Sequence, residues 1–157
     1  MLLMGFGVFV LIFGLFVALL PILLENVFDM PVGQRGLMLV VPALSSTAAS
    51  LSLSRLRARR PMRALIVQGA AIATVSYVAV GVSPFVAFVV VASLGYGWFE
   101  GVTIPMLQDM VASSAPQQSR AAVVSAWVAT VRAGQAVGPL LAGLALALTN
   151  ERAVFLS

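Results

Sequence analysis

Five apolar runs, each close to the length that crosses a bilayer, leave this chain little choice of fold. The hydrocarbon core of a membrane is about 30 Å thick, and a helix needs about 20 apolar residues to span it. The runs occupy residues 2–24, 36–53, 62–82, 85–107 and 121–148. Inside lipid every backbone polar group must find its partner within the protein, so spanning segments are helices or strands of closed barrels. These runs are continuous rather than alternating, which predicts helices. The expected fold class is therefore all-α: a polytopic membrane bundle of five transmembrane helices. The first run lacks the basic flank and small-residue cleavage site of a signal peptide, and it reads as a true span.

Composition agrees and removes several chemistries. Charged residues make up 9% of the chain against 61% hydrophobic, where a soluble domain is about one quarter charged. The chain has no cysteine and no histidine. That leaves no disulfide framework, no thiolate metal site, and none of the commonest neutral-pH acid–base group. No phosphate-binding loop is present, so no ATP-driven step is expected within the chain. The sequence predicts no enzyme activity, no cofactor and no metal site.

All nine basic residues are arginine, and the net charge is +4. Five of them, Arg55, Arg57, Arg59, Arg60 and Arg63, fall in the gap between the second and third runs, with no acid beside them. Arg120 lies in the gap between the fourth and fifth. This clustering argues against nucleic acid as a partner and for the positive-inside rule. Both gaps are expected to be cytoplasmic, with a cytoplasmic N-terminus and the segment after residue 148 outside. The membrane is expected to be a prokaryotic plasma membrane, with the lipid bilayer as outer solvent.

Two ionisable residues fall within spans. Glu100 sits about 16 residues into the fourth run, about 24 Å from its outer end at 1.5 Å per residue. Arg132 sits about 11 residues into the fifth, about 17 Å deep. Charges at such depth are costly and tend to mark substrate or proton pathways, or to pair with one another. Glu100 is accordingly a proton-coupling candidate or the ion-pair partner of Arg132. Arg132 is a candidate for an anionic substrate group or for a structural pair.

The fifth run also carries Gly134, Gly138, Pro139 and Gly143. Small residues at such spacing let a neighbouring helix approach closely, and the proline invites a bend. Gly5, near the chain start, is expected to tolerate a large side chain better than Gly138. Asp109, at the inner end of the fourth run, either pairs with the arginine loop and fastens that side or is a solvated charge. Ser45, Ser46, Thr47, Ser50 and Ser52 make the inner half of the second run polar; they line a cavity or bond to backbone. Tyr96 and Trp98 flank Glu100 and line a pocket or fill the core.

The stretch from Gly134 to Gly143 resembles the G-x-x-x-G-P-x-x-G-G antiporter motif of the major facilitator superfamily, with Ala142 in place of one glycine. The loop from Leu51 to Arg60 resembles that family's G-x-x-x-D-R-x-G-R-R loop. It keeps Arg59 and Arg60, with Arg55 at the aspartate position and Leu51 at the leading glycine. The fourth span has Glu100 and no arginine, which resembles a C-terminal half of drug-exporter-like members. The resemblance implies an incomplete six-helix half of a major facilitator fold, built from inverted three-helix repeats. Residues 1–157 would then be a membrane transporter domain and a fragment of a larger protein, expected to work with an N-terminal six-helix half. It further implies alternating access on a small-molecule substrate, as proton-coupled export, with Arg55, Arg59, Arg60 and Asp109 at a cytoplasmic loop or gate. The other expectation is a membrane interaction or assembly protein without transport of its own.

Overall fold

The computed structural model describes residues 2–156 and, among them, is all-helical. Met1 and Ser157, the two ends of the 1–157 domain, lie outside the described residues. Five helices are long and apolar enough to cross a membrane: Leu2–Asn26, Val32–Arg59, Met62–Gly81, Val86–Ser114 and Arg120–Leu148. We call them the first to fifth helices. A short helix, Glu151–Leu156, follows.

Several helices outrun the apolar runs. The fourth continues to Ser114, beyond the 85–107 run, because Gln108, Asp109, Ser113 and Ser114 keep the helix while losing the hydropathy. The second runs from residue 32 to 59 for the same reason. Apolarity reports how much of a helix lies in hydrocarbon, whereas helical hydrogen bonding continues into water.

Local chemistry sets the breaks. Asp29 adopts a left-handed conformation, φ 50°, which aspartate tolerates better than most residues. The chain turns there, and the Met30 N–H returns to the Leu24 carbonyl at 3.0 Å. The second helix is interrupted at Leu39, three residues before Pro42, whose missing N–H leaves the Met38 carbonyl without its helical donor. In the first helix, Ile12–Leu19 widens to a π-helix, just before Pro21 breaks the ladder again. The Leu20 N–H reaches back to the Leu15 carbonyl. The last helix is capped by Asn150, whose Oδ1 accepts the Ala153 N–H at 3.0 Å.

Two seams hold the bundle. Along one, the first helix lies against the fifth: a Cβ at Gly134 would stand 2.7 Å from the Phe6 carbonyl oxygen, and one at Gly138 2.6 Å from that of Val10. Along the other, the second helix lies against the fourth, with Gly97 under the Pro42 backbone and Gly101 under that of Ser46. Only hydrogen fits at these crossings. Exchanging the first helix for the fourth and the second for the fifth maps one seam onto the other, the pattern of an inverted pair. The third helix packs on the outer side of the fourth. Large aliphatic side chains on the outward faces, such as Leu51, Val91 and Leu144, are exposed, and that surface requires lipid.

The serines of the second helix support the second seam. Pro105 has no N–H for the Gly101 carbonyl, and Ser50 Oγ donates to that carbonyl at 2.9 Å instead. Ser45 Oγ donates to the Leu94 carbonyl at 2.6 Å. Thr47 and Ser52 bond back to their own helix, at Ala43 and Ala48. Ser50→Ala should therefore lower stability by about 1 kcal/mol, leaving a carbonyl without a donor. Thermal unfolding in detergent measures this, with Ser52→Ala expected to be close to neutral.

Candidate functional site

The first and fourth helices face each other through stacked rings: Phe16 and Tyr96 have centroids 3.6 Å apart and planes 4° from parallel. Tyr77, from the third helix, leans on both at 6.1 and 5.9 Å. The π-helical widening of the first helix carries Phe16 into this stack. One turn beyond Tyr96 on the fourth helix is Glu100.

Glu100 lines a cavity of about 230 Å³ with Phe16, Val17, Leu39, Pro42, Ala43 and Tyr96. The cavity is framed by the first and fourth helices and closed by the second. Among the described residues, no hydrogen bond or ion pair holds the Glu100 carboxylate. It is a partly buried acid facing apolar and aromatic side chains. A carboxylate in such a place pairs with a cation or gives way to its protonated form.

Arg132 lies elsewhere. Its Nη1 donates to Gln135 Oε1 at 3.0 Å. It lines a cavity of about 420 Å³ with Phe9, Gln108, Trp127, Val131 and Gln135, framed by the first and fourth helices and closed by the fifth. The fourth-helix contribution to this wall, Gln108, lies about 12 Å along the axis from Glu100. Glu100 and Arg132 thus occupy separate cavities, and no ion pair joins them. A further cavity, about 450 Å³ between the third and fourth helices, is lined by residues such as Ala71, Val75 and Phe88 and carries no ionisable group.

The other sequence candidates divide. Gly134 and Gly138 sit in the first–fifth seam, Pro139 follows within that helix, and a Cβ at Gly143 would meet nothing within 4 Å. Gly5 is not open: a Cβ there would collide with the Trp127 ring, so a large side chain at Gly5 is not the mild change the sequence suggested. Asp109 is paired, its Oδ2 lying 2.7 Å from Arg57 Nη1, with both side chains about half exposed. Arg60 donates to Gln68 Oε1 at 2.6 Å. Arg55 and Arg59 are exposed at the same end of the bundle. Tyr96 borders the Glu100 cavity, whereas Trp98 packs on a separate cluster of Ala49, Leu65, Val102 and Met106. No group of three or more metal-ligating side chains occurs among the described residues.

Sequence reasoning did not single out Arg57, Phe16 or Tyr77. Arg57 carried a signal: it lies two helical turns from Ser50, on the face that meets the fourth helix. Phe16 and Tyr77 carried none, because one aromatic residue in an apolar run looks like any other until its neighbour is known.

At the opposite end, Asn26 Nδ2 donates to Glu151 Oε1 at 2.6 Å, and Arg35 pairs with Glu25. The Asn26 bond holds the Glu151 carboxyl below the usual carboxylate range. A depressed carboxyl contributes stability above its unfolded-state value and loses it as pH falls through the folded one. The tie between the first helix and the last segment should therefore loosen in acid. Asn26→Ala should move the Glu151 titration, followed by NMR, back up towards the ordinary value. The effect on stability is small, since the pair is exposed.

The family model described as Major Facilitator Superfamily matches residues 1–157. No curated protein matches the chain.

Proposed function

This chain belongs to the major facilitator superfamily and is a membrane transport protein for small molecules, and we propose that it works as a proton-coupled exporter of the antiporter kind. The observation that carries this reading is Glu100: an acid inside a span, without a fixed cation, on the wall of a cavity between the two helices that face each other at the bundle's middle. Exchange requires a group that gives up its proton when substrate binds and takes it back when substrate leaves. An unpaired intramembrane carboxylate is suited to that role. Arg132, with Gln135 and Gln108 beside it, supplies hydrogen-bond donors for an anionic or polar part of the substrate.

Alternating access would rock this bundle against an N-terminal six-helix half, with substrate near the midplane between them. The close glycine seams keep each helix pair rigid during that motion. The Arg57–Asp109 pair supports a gate role for the arginine end, fastening the second helix to the fourth in one state. An exposed pair contributes little stability, so its effect belongs to the balance between states.

The site for this exchange is an integral membrane protein in a prokaryotic plasma membrane, with the arginine end cytoplasmic. Single cysteines placed in this cysteine-free chain test the orientation. In intact cells an impermeant maleimide should label Asn150→Cys and not Ala58→Cys; the reverse pattern overturns it. Coupling is tested in proteoliposomes of the assembled transporter. A pH gradient should drive solute against its own gradient, and a protonophore should stop it. Uphill movement that survives the protonophore refutes the proton as the coupling ion.

A further inference from the structure

Glu100 and Arg132 are opposite charges within membrane spans, and among the described residues neither is in an ion pair. Glu100 faces Phe16 and Val17 of the first helix, Leu39, Pro42 and Ala43 of the second, and Tyr96 of its own; none of these carries a charge. Arg132 has one neutral acceptor, Gln135 Oε1, for its several N–H groups, and no acid lines its cavity. A guanidinium keeps its charge at any working pH. A charge held at such depth without a partner marks a place where a bound molecule supplies one.

Apolar surface joins the two cavities. Glu100, Ile104 and Gln108 recur every four residues along one stripe of the fourth helix, and Gln108 reaches the Arg132 cavity. Between the cavities, the half-buried side chains of Phe13 and Ile104 pack against the core on both sides: against the cluster that holds Phe16 and Tyr96, and against that of Phe9 and Trp127. Phe13 also stacks on Phe9, with centroids 6.3 Å apart. An apolar strip thus runs between the charges, over about 12 Å of helix axis from Glu100 to Gln108.

We propose that the exported solute is an elongated zwitterion, with a cationic group at Glu100, an apolar body along Phe13 and Ile104, and an anionic group at Arg132. The proposal rests on the coupling role of Glu100 and names the substrate class of that exchange. A carboxylate left on an apolar wall without a cation is costly, so the acid gives up its proton only where another cation takes its place. A solute with an anion alone offers Glu100 nothing in exchange. A solute with a cation alone leaves Arg132 without a counter-ion. A carboxylate or sulfonate there can take two parallel N–H bonds from the guanidinium. In the exchange the Glu100 O–H bond breaks, the proton passes to a buffer base, and the solute's cation pairs with the carboxylate; release of the solute reverses each part. The ammonium and phosphate of a zwitterionic lipid headgroup stand too close together to reach both sites.

The test measures binding to the whole chain in lipid nanodiscs at neutral pH, with empty nanodiscs as background. The probe is ω-trimethylammonio-nonanoate, whose fixed charges sit at opposite ends of an apolar chain. It is compared with trimethylnonylammonium, which has only the cation, with nonanoate, which has only the anion, and with glycine betaine, whose two charges are adjacent. The long zwitterion should bind about tenfold tighter than each of the others, since a hydrogen-bonded charge contributes about that much. Arg132→Gln should remove its advantage over the cation, and Glu100→Gln its advantage over the anion. A pH-sensitive dye should report proton release with the long zwitterion and none with nonanoate. Equal affinity for either single-charge probe or for glycine betaine overturns the proposal, and so does binding no stronger than to empty nanodiscs. Proton release together with equal affinity for the cation would overturn the zwitterion and keep the coupling role of Glu100. The tenfold preference without proton release at any working pH would instead overturn the coupling role and leave the solute class standing.

Discussion

Glu100→Gln abolishes proton-driven transport and leaves substrate exchange intact: this is the largest functional effect that the site leads us to expect. Glutamine keeps the size of the side chain and imitates the protonated carboxylic acid, so the cavity formed with Phe16, Pro42 and Tyr96 keeps its shape. What the variant lacks is a proton to give. Substrate moving down its own gradient needs only the rocking of the bundle, and it should continue. Movement against a gradient, driven by an imposed pH difference, should fall to the level of protein-free liposomes. Arg132→Ala should behave differently. Arg132 shares neither a cavity nor an ion pair with Glu100. Its loss should weaken substrate binding while the proton dependence of the remaining transport persists. Uphill transport by Glu100→Gln with unchanged pH dependence would return Glu100 to a structural role.

Gly138→Leu should be the most damaging single change to the bundle itself. A Cβ at that position already stands 2.6 Å from the Val10 carbonyl oxygen and 2.9 Å from the Gly14 nitrogen, both backbone atoms that cannot swing aside. The remaining carbons of leucine would have to push the first helix off the fifth. Overpacking costs about 1–3 kcal/mol where side chains can adjust; against rigid backbone the cost lies at or above the top of that range. We expect loss of folded protein in detergent, read by size-exclusion profile and thermal unfolding. Gly143→Leu, five residues on in the same helix, should be close to neutral, since nothing lies within 4 Å of its Cβ position. Equal damage from both would remove the close-packing account of this seam.

The contrast between those glycines marks how far the sequence could be read. Spacing singled out Gly134, Gly138 and Gly143 together, because a run of small residues does not say which of them faces the neighbour. Helical spacing separates them: Gly134, Gly138 and the buried Ala142 recur every four residues along the face that meets the first helix, and Gly143 falls one residue off that face. Gly5 shows the same gap from the other side. It looked like an ordinary glycine near a chain start, yet Trp127 of the fifth helix lies over it. Such contacts depend on helix rotation, which hydropathy does not encode.

The spans were legible because lipid imposes a length and a composition on every helix that crosses it. The ends of those helices were less so, since their last turns, such as Gln108 to Ser114, are held by hydrogen bonds that polarity does not interrupt. In the site, the charge on Glu100 was visible because acids are rare in hydrocarbon. Its surroundings were not. The depth argument allowed Arg132 as a partner, but the two side chains lie in cavities closed by different helices, the second and the fifth. For the serines, the sequence left cavity lining and backbone bonding open. Pro105 explains Ser50: a carbonyl freed on one helix is met by a hydroxyl on another. That pairing could have been sought by asking, for each proline, which residue supplies the missing donor.

The measurement closest to the centre of this account is proton release on substrate binding. It is made with the assembled transporter in weakly buffered detergent, using a pH-sensitive dye. The account predicts one proton released for each substrate bound near neutral pH, and none from Glu100→Gln although that variant still binds. Equal release from both proteins would contradict it, because the exchanged proton would then reside on some other group.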